Sequence, residues 1–227
     1  MALVEVRGLT RTYTQGEITV QALRGIDLDV ERGEFTALMG PSGSGKSTLL
    51  HLIGGLDAPT AGSVSIEGKD LASLDATTLS DLRRDRIGFV FQVYNLIPVL
   101  TAAENAELVL MLQGQPADVR RAAATRTLAQ VGLQGLEGRR PNELSGGQQQ
   151  RVAVARAIAG KPAVVLADEP TANLDSKTGQ ELVSLMATLN REHGVTFIFA
   201  THDPKVLDAA TRVVRLVDGR IVEDSRR

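Results

Sequence analysis

Residues 40–48 read Gly-Pro-Ser-Gly-Ser-Gly-Lys-Ser-Thr, a fit to G-x-x-x-x-G-K-[ST]. No other stretch restricts the fold as tightly. The apolar run at 35–39 before it predicts a buried parallel strand, and 47–53 after it predicts a helix. Strand, glycine-rich loop and helix start are the context in which this motif holds phosphate. A helix start offers unpaired N–H groups and the positive end of a dipole, and glycines let the backbone wrap an anion. Gly40, Pro41, Ser42, Gly43, Ser44, Gly45, Lys46, Ser47 and Thr48 are therefore the candidate phosphate-binding residues. Lys46 can reach the outer phosphates, and the Ser47 hydroxyl is placed to hold Mg²⁺. The loop by itself says nucleotide, not which reaction follows.

Composition narrows the setting. At 227 residues, 43 % of them hydrophobic, the chain is one domain, or one domain with a subdomain. A net charge of −2 leaves no general footprint for nucleic acid or anionic lipid. With no cysteine, disulfides and thiolate metal sites are excluded. No apolar run approaches the ~20 residues that span a bilayer, and the N-terminus carries no signal-peptide pattern. A soluble, intracellular chain is expected, with any membrane connection made through a partner.

Periodicity predicts strands at 3–6 and 20–30, a turn-rich stretch carrying Tyr13 at 8–16, and a short strand at 63–66 before a turn at 67–70. A polar helix at 77–86 leads into a buried strand at 87–91. Three helical patterns follow with no strand between them, at 101–112, 117–131 and 146–159, with Thr101 and Asp118 as capping or first-turn residues. Strands return at 163–167, 195–200 and 212–217, separated by helices at 177–191 and after Asp203, and a hairpin closes the chain. The expected fold class is α/β: a phosphate-loop NTPase core with a mostly parallel sheet, a flanking antiparallel β layer and an inserted α-helical subdomain. The expected division is a core of residues 1–91 and 162–227 with the helical subdomain at 92–161.

Two further stretches carry chemistry. The apolar strand at 163–167 ends in Asp168-Glu169, at the strand end where α/β sheets place ligands. Asp168 would orient Mg²⁺ and Glu169 would polarise an attacking water; alone, such a pair could be solvated turn acids. Leu144-Ser145-Gly146-Gly147-Gln148 opens a helix with Ser145 as N-cap and bare N–H groups at the glycines, a second anion-binding terminus in a chain that already has one.

This last stretch, with its continuation Arg151-Val152-Ala153-Val154-Ala155-Arg156-Ala157, resembles the signature of the ATP-binding-cassette ATPases. The resemblance covers the whole chain. It implies that Ser145, Gly146, Gly147 and Gln148 of one subunit close over the γ-phosphate held by the other subunit's loop, so that two copies enclose two ATP. It further implies that Tyr13 stacks on adenine, that Gln92 contacts Mg²⁺ and water, that Asp175 belongs to a loop crossing the dimer interface, and that His202 bonds the γ-phosphate and steadies Glu169. His51 and His193 read as ordinary helix residues. A narrower resemblance, to the lipoprotein-releasing and macrolide-export branch, rests on Glu17-Ile18 with Ala22-Leu23-Arg24-Gly25-Ile26, on Gly54-Gly55-Leu56-Asp57, on the stretch at 91–98 and on Thr171-Ala172-Asn173-Leu174-Asp175. It implies a membrane permease partner, no nucleic acid, and a place on the inner face of the cell membrane. The alternative it leaves open is an ATP-driven mechanical or regulatory switch without cargo. Leu108, Met111 and Leu112 read as subdomain core rather than partner contact, and Tyr94, Leu96 and Ile97 as candidates for a docking surface.

Overall fold

The computed structural model describes residues 2–16 and 18–227. Glu17 of the branch resemblance lies outside the described residues. The chain runs β1 (Val4–Gln15), β2 (Ile18–Val30), β3 (Phe35–Met39), α1 (Lys46–Ile53), β4 (Ala61–Ile66), β5 (Lys69–Asp70), α2 (Ala76–Arg86), β6 (Ile87–Val90), α3 (Ala102–Leu112), α4 (Ala117–Gln130) and α5 (Gly146–Ala159). It continues with β7 (Val164–Asp168), α6 (Ser176–His193), β8 (Thr196–Thr201), α7 (Pro204–Ala209), β9 (Arg212–Val217) and β10 (Arg220–Arg226).

Two sheets organise these elements. One is antiparallel, in the order β2-β1-β4-β5; the other, β10-β9-β3-β8-β7-β6, is parallel except for the β10 edge. Side chains that alternate along each parallel strand feed two cores. Phe35, Val165, Ala167, Phe197 and Phe199 face a core shared with α3 to α7. Leu38, Val164, Leu166, Ile198 and Ala200 face a second core, built with α1 and the antiparallel sheet. Burial on both faces is why these strands read as nearly unbroken apolar runs. Among the described residues no helix is long and apolar enough to cross a membrane.

Three local expectations need correction. The stretch at 8–16 is not a turn region: β1 continues to Gln15, with Tyr13 opposite Val20. Its β-branched Thr10, Thr12 and Thr14 suit a strand, and shifts in register between Val6 and Thr12 absorb the irregularity that Gly8 introduces. Residues 69–70, expected in a turn, form the short β5. Met111 and Leu112 are 47 % and 59 % exposed, not core; α3 buries Ala102, Asn105, Ala106 and Leu110 instead, so the helical period holds but its phase differs. Thr101 caps α3 in a full capping box with Glu104, and Asp118 lies in the first turn of α4.

The antiparallel layer is tied to the parallel sheet by charge. Glu67, in the turn between β4 and β5, accepts from Arg86 Nε and Nη2 at 2.7 and 2.6 Å and also pairs with Arg32. Arg86 ends α2, directly before β6.

Candidate functional site

The loop after β3 is shaped by contacts that leave no room for a side chain. A Cβ on Gly40 would meet the Leu216 carbonyl oxygen at 2.1 Å. Gly45 sits at φ +101, and a Cβ there would meet the Ala22 oxygen at 2.7 Å. The loop is thus wedged between β2 and β9, and α1 starts directly beyond it. Lys46 is buried and bonds back over the loop, Nζ donating to the Gly40 and Pro41 carbonyls at 2.8 and 3.0 Å.

An open cleft of about 940 Å³ lies over this loop. It is lined by Gly40, Pro41, Ser42, Gly43, Gly45, Lys46, Ser47 and Thr48, by Gln92, Glu169 and His202, and by Val20 to Ala22 and Arg24 from β2. Ser44 is buried beneath the loop, its backbone N–H bonded to the Pro41 carbonyl at 3.2 Å. Asp168 stands just behind: Ser47 Oγ donates to its Oδ1 at 2.8 Å, across 121 residues of sequence.

Glu169 adopts φ +44, a left-handed backbone that a non-glycine residue rarely takes. Its carboxylate Oε1 lies 2.8 Å from His202 Nδ1, while Oε2 is buried with no hydrogen-bond partner among the described residues. The ends of β7 and β8 deliver the two groups side by side.

The Ser145 helix start behaves as a helix cap. Ser145 Oγ accepts from Gln148 N at 3.3 Å, and Gln148 Oε1 accepts from Ser145 N at 2.9 Å. Ser145, Gly146, Gly147 and Gln148 do not line the cleft of their own chain. Neither does Asp175, whose carboxylate caps α6 by accepting from Lys177 N, Thr178 N and Thr178 Oγ1. The Thr178 bonds hold that carboxyl below the usual carboxylate range. Tyr13 stands at the margin: it is absent from the cleft lining, but Val20, its partner across the hairpin, belongs to it.

Several residues that the sequence did not assign to the site organise it, among them His51, which reads by sequence as an ordinary helix residue. His51, one turn beyond Ser47 on α1, brings Nε2 within 3.6 Å of Asp168 Oδ2; its i+4 spacing from Ser47 was the available signal. Gln150, fully buried on α5, donates from Nε2 to the Phe91 carbonyl at 3.1 Å and the Pro170 carbonyl at 2.8 Å. Arg156, further along α5, donates to the Tyr94 and Asn95 carbonyls at 3.0 and 2.5 Å. Asn173 Nδ2 donates to the Gln92 carbonyl at 3.0 Å. Asn105 shapes the next stretch, accepting from Ile97 N and donating to the Ile97, Leu100 and Thr101 carbonyls. Leu96 packs on the main core, so Tyr94 and Ile97 remain of the three docking candidates.

The donors around Ser47 suit a hard cation. Ser47 Oγ and the Asp168 carboxylate supply oxygen only, with the Gln92 amide across the cleft. Among the described residues no three acidic, histidine or cysteine side chains form a cage. A magnesium ion shared with nucleotide phosphates needs only one or two protein oxygens, so the residues present fit it.

A phosphate loop beneath an open cleft, with two carboxylates at the end of β7 and a histidine at the end of the neighbouring β8, defines a phosphate-loop nucleotide-binding ATPase domain. The family model described as ABC transporter matches residues 23–172, and the chain belongs to that family. It is 50 % identical over 222 residues to the lipoprotein-releasing system ATP-binding protein LolD of Anaeromyxobacter dehalogenans, covering 97 % of this chain and 93 % of that protein. It is also 50 % identical over 221 residues to the macrolide export ATP-binding/permease protein MacB of Rhodopseudomonas palustris, covering 97 % of this chain; the chain spans 34 % of the length of that relative. Among solved structures it superposes with TM-score 0.90 and 45 % identity, over 98 % of both chains, on the dimeric post-hydrolysis state of the ATP-binding cassette MJ0796 bound to ADP and Pi, from Methanocaldococcus jannaschii.

Proposed function

We propose that this chain is the ATP-binding and hydrolysing subunit of an ABC transporter, that two copies close on two ATP, and that the cycle drives a membrane permease. Residues 1–91 and 162–227 form the catalytic core, and 92–161 the helical subdomain that carries the second anion-binding helix start. The chain sits on the inner face of the cell membrane through its permease. The cargo is of the export class, lipoprotein, peptide or drug-like. What supports this is the naming of LolD as part of a lipoprotein-releasing system and of MacB as a macrolide exporter.

Gly40 to Thr48 cradle the phosphates, Lys46 meets the outer ones, and Tyr13 stacks on the base. Ser47 and Asp168, with Gln92, hold Mg²⁺, which neutralises phosphate charge and orients the transferring group. Glu169 takes a proton from the attacking water, and His202 steadies Glu169 and meets the γ-phosphate. Ser145, Gly146, Gly147 and Gln148 reach the nucleotide of the other copy, with Asp175 on the loop beside the interface. ATP favours the closed pair and ADP does not, and this differential moves the permease.

One observation carries the reading: the Ser145 helix start does not line the cleft that holds Lys46 and Glu169. Two anion-binding termini on separate parts of one chain serve one nucleotide only when two chains meet. Light scattering on Glu169→Gln with saturating ATP tests it. A dimer is expected, and adding Ser145→Arg is expected to return it to monomer. A Glu169→Gln protein that stays monomeric overturns the reading.

A further inference from the structure

Beside the cleft, three side chains from distant parts of the chain interlock. Tyr13 Oη donates to Asp57 Oδ2 at 2.8 Å. Arg11 Nη2 donates to the other oxygen, Oδ1, at 2.7 Å, and its guanidinium carbon lies over the Tyr13 ring, 4.5 Å from the centroid. Asp57 is itself held in place. Its Oδ1 accepts from Ala58 N at 2.8 Å, and the segment that follows is bonded to β1 by Thr60 N to the Thr10 carbonyl and by Thr12 N to Thr60 Oγ1. Partial burial works against the charge, but the Tyr13 hydroxyl, the Ala58 N–H and Arg11 together keep the Asp57 carboxyl below its ordinary range.

We propose that Asp57, together with Arg11, is a positioning pair that fixes the Tyr13 ring as a ready-made platform for the adenine base. The proposal rests on the reading of Tyr13 as the stacking aromatic. An exposed tyrosine on a hairpin rotates freely about its side-chain bonds, and a ligand that stacks on it must halt that rotation. Here the hydroxyl is anchored, a cation lies over the ring, and the residue is still 40 % exposed. The cation–π contact and the charged acceptor both act on the ring, so orientation is set before nucleotide arrives. Arg11 and Asp57 both bear on Tyr13, the residue of the three whose hairpin partner, Val20, lines the cleft, so their effect on nucleotide passes through Tyr13.

Calorimetric titration of the full chain with ATP, and separately with inorganic tripolyphosphate, tests this. Tyr13→Ala is expected to weaken ATP binding and leave tripolyphosphate binding unchanged. Asp57→Ala and Tyr13→Phe, which keeps the ring but loses its anchor, are each expected to weaken ATP binding by ~3–10-fold with tripolyphosphate again unchanged. The double variant Asp57→Ala/Tyr13→Phe is expected to bind ATP no more weakly than Asp57→Ala alone, because the Tyr13 bond is already lost in that single variant. If Tyr13→Ala weakens ATP binding while Asp57→Ala and Tyr13→Phe do not, the positioning role is wrong and the stacking reading survives. If Tyr13→Ala leaves ATP binding intact, the stacking reading fails first and the proposal falls with it. Tighter ATP binding by Asp57→Ala, or an equal loss for both ligands, also overturns it.

Discussion

Gln150 Nε2, on the helix that begins at Ser145, donates at 2.8 Å to the carbonyl of Pro170, the residue after Glu169. The same nitrogen bonds the Phe91 carbonyl, next to Gln92. One fully buried amide thus holds the helix that carries the second anion-binding terminus to the backbone beside both cleft residues. The helix cannot shift without stretching these bonds.

Replacing Gln150 by Met keeps the volume and removes the donors. The buried Pro170 carbonyl and the half-buried Phe91 carbonyl lose their partner, at a cost of about 1–3 kcal/mol in unfolding free energy. ATP binding is expected to change little because the phosphate loop is untouched, while turnover falls. Chemical denaturation, an ATP titration and a steady-state ATPase assay on one preparation separate the three effects. A variant that loses stability but keeps full turnover would show that the bridge is only structural.

Glu169→Gln removes the proton acceptor but keeps the size of the side chain. Turnover is expected to fall by ~10²–10⁴-fold with ATP binding retained. Normal phosphate release in a steady-state assay would remove Glu169 from the role of base.

Lys46 is a buried cation over the loop, bonded to the Gly40 and Pro41 carbonyls. Lys46→Ala is expected to weaken ATP binding by ~10–100-fold, the loss of charge-assisted bonds of roughly 1.5–3 kcal/mol. Undiminished affinity by calorimetry would contradict the loop's role.

The hydrogen bonds from Arg86, with those from Arg32, lower the Glu67 carboxyl from 4.5 to about 2. Because the folded-state value lies below the unfolded one, this group stabilises the fold fully above about pH 4.5 and loses its contribution as pH falls toward 2. Solvent around Arg32 reduces the effect to the order of 2 kcal/mol. Denaturant melts of wild type and Glu67→Gln at pH 7 and pH 3 check the sign: the gap between them is expected to narrow at the lower pH.

Much of this protein was legible along the chain because the relevant physics is local. Residues 40–48 carry their own conformational instructions: glycine where the backbone must pass close to β2 and β9, then a helix former. Ser145 caps its helix, as the sequence predicts, and Gln148 completes the capping box three residues on. Apolar runs placed β3, β6, β7, β8 and β9, with β3 and β9 as expected and the ends of β6, β7 and β8 displaced by one residue.

What tertiary structure alone decided is which distant groups meet. Ser47 finds Asp168, Gln150 finds Phe91 and Pro170, and Tyr13 finds Asp57, whereas the meeting of Glu169 with His202 is already implied by the family resemblance. Periodicity tells which face a side chain takes but not what lies across from it, since strand order and helix docking are set by packing of the whole core. For the same reason the phase of α3, and with it the exposure of Met111 and Leu112, could not be read from spacing. A hydrophobic stripe records that a face is buried, and only the neighbouring elements determine which of two adjacent stripes they cover.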